Sequence, residues 1–387
     1  MPDMPAPYSS RMEQVGLMTI ESQKVPQGES DQGSKGRNRT INSIQILRAY
    51  AAITVLIGHS FLEVLHTNGL KPSFNVFPLV AGVDIFFVIS GFIMFYTSAD
   101  LFQKKGGSWL FLKRRFIRVV PLYWFFTTLM LLALVALGQF VRSTQLDIGN
   151  VISSYLFLPY AREGGRIAPI LSLGWTLNYE MFFYVIFSVF IIFKRQFALA
   201  GLLITLLLLS VIGVILQPSL AIFKFWTDSV ILEFGIGCIL GYFYSTIYEK
   251  KSLNLAIFFA IAGLCLLILM RNIDLPRLFI GGIPACLLVL GGLLLPEKND
   301  KKFPAFLLLL GNASYSLYLC HRFVLRILTI AMSKLSIPAN AAVPLYVVLA
   351  LIISIPVAVL VYRYIETPMV NVMRKKRKSP YSKAEAA

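Results

Sequence analysis

The chain has 387 residues, of which 57% are hydrophobic, 13% aromatic and only 14% charged, whereas a soluble protein carries about 25% charged residues. A water-soluble globule of this size has no way to hide so much apolar surface, so the composition excludes an ordinary set of soluble domains and predicts an all-α, polytopic membrane protein with lipid as its solvent. The net charge of +17 then becomes a question of where the basic residues sit relative to the membrane, and nucleic-acid binding is not expected.

Residues 1–40 are polar and rich in Gly, Ser and Gln, without the apolar stretch of a cleavable signal peptide, and are expected to form a disordered tail. Ten apolar stretches follow, at Ser43–Leu65, Val76–Ser98, Val119–Val141, Leu171–Phe193, Phe197–Gln217, Thr227–Tyr248, Leu253–Met270, Leu278–Leu295, Phe306–Met332 and Ala341–Ile365. Each is about as long as a bilayer-crossing helix requires. The expected organisation is a tail over 1–40, a transmembrane domain over 41–368 and a basic tail over 369–387, with no appended soluble domain. Within the longest loop, Arg142–Ile170, Ser153–Pro159 is expected to be re-entrant or interfacial. The four cysteines, Cys238, Cys265, Cys286 and Cys320, lie in apolar runs without zinc-ligand spacing and read as small buried hydrophobes; no metal is expected.

An even number of spans puts both termini on one side. The tails and even-numbered loops hold 24 Lys and Arg, the opposite loops hold eight, and Arg48, Arg322, Arg326 and Arg363 fall within spans. Positive residues concentrate on the cytoplasmic side, so both termini are expected there. The basic tail Arg374–Lys378 reads as a topological signal in contact with anionic lipid.

Charges inside a span are costly, about 2.5–3.5 kcal/mol each, and mark functional candidates. Here they are Arg48, His59, Asp84, Glu180, Glu233, His321, Arg322, Arg326 and Arg363. At about 1.5 Å of rise per residue, His59, Asp84, Glu180 and His321 are expected to share one layer in the outer half of the membrane. Arg48 and His59 are eleven residues apart, about three turns plus 20°, which places them on one face of the first helix roughly 16 Å apart. His59 is either a proton-handling group or a satisfied core histidine. The stretch Lys113–Pro121 (KRRFIRVVP) at the mouth of the third span has two readings. It is a headgroup-binding topogenic cluster, or it is a phosphate clamp in which Arg115 and Arg118, at i and i+3, share a helix face.

These residues form an ordered series. Leu47–Ala52 (LRAYAA) with His59, Gly82–Phe92 (GVDIFFVISGF), Arg115–Trp124 (RFIRVVPLYW), Gly174–Glu180 (GWTLNYE), Leu310–His321 (LGNASYSLYLCH) and Tyr364–Pro368 (YIETP) together resemble the motifs of the membrane-bound acyltransferase 3 family, in family order. The wording, GWTLNYEMFFY especially, is similar to the exopolysaccharide-production members that O-acetylate succinoglycan-type polymers. The resemblance implies a bacterial inner-membrane enzyme that moves an acyl group, usually acetyl, onto a carbohydrate hydroxyl. The implied partners are a polysaccharide or lipid-linked oligosaccharide acceptor, membrane lipids and polysaccharide-assembly proteins.

Sugar hydroxyls are poor nucleophiles, so transfer needs a general base and donors for the developing oxyanion. The expected base is His59, with Glu180 or Asp84 as the carboxylate that fixes its tautomer. Ser90, Tyr179, Ser314 and Tyr318 are candidate donors, and Trp175, Glu233, Tyr315 and His321 candidate supports. Arg115 and Arg118, with Arg48 and Arg114, are expected to hold the phosphates of cytosolic acetyl-CoA. An acyl-enzyme on His59, Cys320 or Ser90 ranks below direct transfer. Two other classes remain open: a secondary transporter or flippase-like carrier, which also places acids and histidines at mid-membrane, and a non-catalytic scaffold for polysaccharide assembly.

Overall fold

The computed structural model describes residues 41–71, 79, 81–137, 147–296, 303–335 and 337–375. The tail expected over 1–40 and the basic tail from residue 376 onward lie outside the described residues. Among the described residues the regular elements are helices, and extended backbone pairs in one isolated bridge between Ala161 and Ile167. Lipid offers no partner to a backbone N–H or C=O, so a spanning segment must close its hydrogen bonds within itself.

In chain order the helices are α1 (Asn42–Thr67), α2 (Gly82–Thr97), α3 (Gly107–Leu137), the short α4 (Ile148–Tyr155), α5 (Trp175–Phe190), α6 (Arg195–Leu216), α7 (Ala221–Trp226), α8 (Ile231–Tyr242), α9 (Tyr244–Glu249), α10 (Leu253–Leu269), α11 (Ile283–Leu294), α12 (Ala305–Asn312), α13 (Ser314–Met332), α14 (Ala339–Val361) and α15 (Thr367–Lys375). A π-helical turn at Leu278–Gly282 leads into α11, and another at Tyr362–Glu366 joins α14 to α15. The helix thus continues through Lys375, into the stretch expected to be tail.

Among the described residues, five helical stretches are long and apolar enough to cross a membrane: Asn42–Thr67, Gly107–Ala136, Arg195–Leu216, Leu253–Asn272 and Ala341–Arg374. Gly82–Thr97 and Leu278–Leu294 are apolar but shorter. The other expected spans contain helices that are interrupted or polar. The stretch 227–248 divides at Phe243 between α8 and α9, and 306–332 divides at Ala313 between α12 and α13. The span expected from Leu171 enters through the 3-10 turn Ser172–Gly174 and is helical only from Trp175. Hydropathy averages over such breaks, because one or two small or polar residues barely change the mean of a window of about 19 residues.

The outward faces are what a lipid environment demands. On α6, Ile204, Leu207, Leu208, Val211, Val214 and Ile215 are exposed, as are Phe258, Ile261 and Ile268 on α10. In water such stripes would be an aggregation liability; in lipid they are the solvent-facing surface. The short α4 within the long loop is inverted in the same sense, with Asn150 and Ser154 buried and Ile148 and Ile152 exposed.

Three glycines fix the register on which the site depends. A Cβ at Gly91 of α2 would lie 2.0 Å from the carbonyl oxygen of Phe234 on α8, so the two backbones approach more closely than any side chain at this position would allow. Gly82, at the start of α2, presses against the carbonyl of Ala51, and Gly311, at the end of α12, presses against that of Gln45. Ala51 lies eight residues before His59, so α2 begins about 12 Å below His59 along α1.

Candidate active site

Polar side chains inside the bundle sort into a guanidinium-rich layer, an imidazole pair above it and an acidic flank. The first layer lies toward the Asn42 end of α1. Arg118 forms an ion pair with Glu366, which is 1% exposed and also accepts a 2.5 Å hydrogen bond from Ser316. The Arg118 guanidinium sits 6.0 Å from the Tyr315 ring, whose hydroxyl donates to the Val119 carbonyl at 2.7 Å. Arg115 donates to Thr97 at 3.0 Å and lies over Phe111. Its buried Nε has no hydrogen-bond partner among the described residues. Arg48 donates to Gln45 at 3.1 Å and lies within electrostatic reach of Arg118, Glu366 and Glu180. Glu180 completes the layer, with Oε1 accepting from Ser90 at 2.8 Å and from Tyr184.

Helical spacing explains this grouping. Arg115 and Arg118 stand three apart and share the inner face of α3. Arg114, turned about 100° from Arg115, is exposed. Of the four arginines expected in the clamp, the structure therefore brings together Arg48, Arg115 and Arg118, while Arg114 faces outward.

The second group lies near the other end of α1. Nδ1 of His59 is 2.9 Å from Nε2 of His321, and Nδ1 of His321 is 2.9 Å from the Leu317 carbonyl. The two rings lie within 9° of parallel with centroids 5.2 Å apart. That separation is the N···N distance plus one ring radius at each end, so the rings meet edge to edge in nearly one plane. His321 is 1% exposed and His59 is half-buried. One turn further along α1 than His59, Glu63 pairs at 3.3 Å with Arg322, the residue that follows His321. Arg322 and Arg166 are the charged groups within electrostatic reach of His59.

The acidic flank is on α2 and α8. Asp84 is completely buried and receives a two-pronged hydrogen bond from Arg277, Nε to Oδ1 at 2.8 Å and Nη2 to Oδ2 at 3.1 Å. The Arg277 guanidinium also lies 5.3 Å from the Trp175 ring. Glu233, fully buried, sits beside Asp84 and Arg277. Tyr179 stacks on Phe225 with ring centroids 3.8 Å apart and meets Phe87 and Trp175 edge-on.

Two expectations are corrected by this arrangement. His59, Asp84, Glu180 and His321 do not share one layer: Asp84 follows Gly82 by two residues and so lies about 15 Å below His59. Ser90, the partner of Glu180, is six residues deeper again, about 9 Å. Counting rise from assumed membrane entry points failed because α2 starts well inside the bundle. Nor does Glu180 or Asp84 orient His59, since the ring partner of His59 is His321 and both carboxylates are engaged elsewhere.

The candidate oxyanion donors differ in availability. Tyr318 donates to the Leu173 carbonyl at 2.7 Å and lies 2.8 Å from the Thr176 hydroxyl, so its proton is committed. Ser90 donates to Glu180. Ser314 Oγ is buried without a hydrogen-bond partner among the described residues. No group of three or more His, Cys, Asp and Glu is placed to hold a metal among the described residues.

Sequence reasoning missed Arg277, Tyr184 and Glu366 as site residues. Glu366 had a signal, since it lies in the YIETP motif. Arg277 had none beyond the rule that a buried Asp84 must find a cation; it reads as an ordinary loop arginine.

Comparison with known proteins assigns the chain to a family. A family model described as an acyltransferase domain matches residues 41–363. The exopolysaccharide production protein ExoZ of Rhizobium meliloti (strain 1021) is 32% identical over 299 residues, which cover 77% of this chain and 91% of that protein. The O-acetyltransferase OatA of Staphylococcus aureus (strain NCTC 8325 / PS 47) is 26% identical over 364 residues, 86% of this chain and 57% of that protein. The peptidoglycan O-acetyltransferase OatA of Listeria monocytogenes serovar 1/2a (strain ATCC BAA-679 / EGD-e) is 28% identical over 373 residues, 85% of this chain and 56% of that protein. No solved structure matches. The match across most of the chain, over a bundle whose inner face carries arginines at one level and paired imidazoles at another, identifies the protein as a multi-pass membrane acyltransferase of the acyltransferase 3 family.

Proposed function

We propose that the protein is a carbohydrate O-acetyltransferase of the bacterial inner membrane. It moves an acetyl group from acetyl-CoA to a hydroxyl of an exopolysaccharide or its lipid-linked precursor, with both chain termini in the cytoplasm. The observation that carries this reading is the separation, along one face of α1, of the guanidinium layer from the imidazole pair. Arg48 and His59 are eleven residues apart, about 16 Å. A donor whose phosphates and thioester lie at opposite ends of a long arm fits that spacing. The Lys and Arg count, 24 on one set of loops and tails against eight on the other, supports placing the arginine end toward the cytoplasm.

Arg115 is the arginine best suited to a phosphate, because its buried Nε has no hydrogen-bond partner among the described residues. Arg118 supplies positive charge beside it while Glu366 fixes its direction. Arg48 extends the same cationic patch toward α1. The thioester brings an activated acetyl group and a good leaving group. His59 removes the proton of the attacking hydroxyl as the new ester bond forms, and returns it to the departing thiolate. Arg322 and Arg166 place positive charge near that step, where a developing oxyanion needs it. The names of the relatives support the polymer class: ExoZ is an exopolysaccharide production protein and the Listeria OatA a peptidoglycan O-acetyltransferase.

The test is transfer from acetyl-labelled acetyl-CoA in membrane vesicles containing the protein, followed by glycan analysis of a deletion strain. Label appearing as an alkali-labile ester on glycan, together with an ester missing from the deletion strain, is the expected result. Passage of an unmodified solute with no ester formed would replace the enzyme reading by a carrier.

A further inference from the structure

The imidazole pair contains more information than the presence of two histidines. A neutral imidazole has one donor and one acceptor nitrogen. The Leu317 carbonyl can only accept, so Nδ1 of His321, 2.9 Å from it, carries the proton. Nε2 of His321 is then the acceptor. It faces Nδ1 of His59 at 2.9 Å, so Nδ1 of His59 is the donor. The lone pair left over is on Nε2 of His59. The reverse assignment would set the lone pair of His321 Nδ1 against a carbonyl oxygen. Both rings lie nearly in one plane, which points each N–H at its acceptor. The chain of bonds ends in the α13 backbone on one side and in the half-buried ring of His59 on the other.

We propose that His321 is a positioning residue that locks His59 in its Nδ1–H tautomer, so that Nε2 of His59 is the basic atom of the reaction. The inference rests on His59 being the base. It assigns to a histidine on α13 the orienting task that a carboxylate performs in many acyl-transfer sites. The two carboxylates that might have done it are held away by Arg277 and by Ser90 with Tyr184. In the transfer step the hydroxyl O–H bond breaks and its proton goes to Nε2. The oxygen forms a bond to the acetyl carbon, and the carbon–sulfur bond breaks with its electron pair on sulfur. The thiolate then takes the proton from Nε2, and His59 returns to the neutral Nδ1–H form still bonded to His321. No net proton is gained or lost.

The experiment uses the full-length protein in membrane vesicles, labelled acetyl-CoA, and exopolysaccharide from the producing strain stripped of its esters with mild alkali. Activities are normalised to the amount of protein in the membrane. His321→Gln can place an amide oxygen where Nε2 stood and keeps most of the wild-type kcat. His321→Asn is too short to reach and loses about 10- to 100-fold in kcat with an unchanged KM for acetyl-CoA. On a His59→Ala background, His321→Asn costs nothing further. Should His321→Gln fail to accumulate, His321→Glu supplies an acceptor at the same reach and carries the same expectation. Equal kcat for the Gln and Asn variants, a loss confined to KM, or an additional loss on the His59→Ala background overturns the positioning role while leaving His59 as base. Full transfer by His59→Ala alone overturns the base assignment, and this inference with it.

Discussion

The two ends of the α1 inner face solve the problem of burying polarity in opposite ways. Toward Asn42, charge is met with charge: Arg118 is paired with a fully buried Glu366, and Arg48 and Arg115 share the neighbourhood of Glu180. Toward Thr67, a half-buried and a buried imidazole hydrogen-bond to each other and to a backbone carbonyl, with no carboxylate among those bonds. An ion pair holds a guanidinium in a fixed direction, which suits a residue that must stay charged to bind phosphate. A chain of neutral hydrogen bonds leaves one lone pair exposed at its end, which suits a residue that must gain and lose a proton. The acidic flank belongs to the first kind, since Arg277 locks Asp84 by both oxygens.

The comparison can be broken at several points. His59→Ala removes the proton acceptor and is expected to cut kcat about 10²- to 10⁴-fold with a normal amount of protein in the membrane; retained turnover would reduce the imidazole pair to packing. Arg277→Ala strands a completely buried Asp84 and should lower stability by roughly 3 kcal/mol or more. Thermal unfolding in detergent measures this loss, and restoration by the double variant Arg277→Ala with Asp84→Asn would show that the cost is the unpaired charge. Arg115→Ala leaves its neighbours' ion pair intact and should raise the KM for acetyl-CoA roughly tenfold, about 1.4 kcal/mol, with a smaller effect on kcat. An unchanged donor dependence would remove Arg115 from the clamp. Glu63→Gln, in a pair that is 34% and 23% exposed at its two side chains, should change stability by less than about 1 kcal/mol; a larger loss would mean that the upper region too depends on charge pairing.

Much of the site was legible because helical periodicity is local. Arg48 with His59, and Arg115 with Arg118, share faces for reasons contained in their own spacing, and the structure keeps both pairs on the inner side of their helices. The ordered motifs likewise named Ser90, Glu180, Tyr315 and His321, each of which reaches another helix: Ser90 and Glu180 meet each other, Tyr315 bonds α3 and His321 bonds α1. Height was not legible. Asp84 looked level with His59 because a hydrophobic stretch shows roughly where a helix can cross and leaves open how deep it begins; only the contact of Gly82 with Ala51 sets that depth.

The sequence by itself determined the solvent, the helical class, the family and the faces on which its polar residues stand, since composition, hydrogen-bond closure and a 3.6-residue period act within one segment. Only the tertiary structure decided the partners. That Asp84 belongs to Arg277, Glu366 to Arg118 and His59 to His321 follows from relative depth and rotation of helices separated by as many as 262 residues. Those offsets are fixed by close backbone contacts such as Gly91 against Phe234, which no single helix encodes.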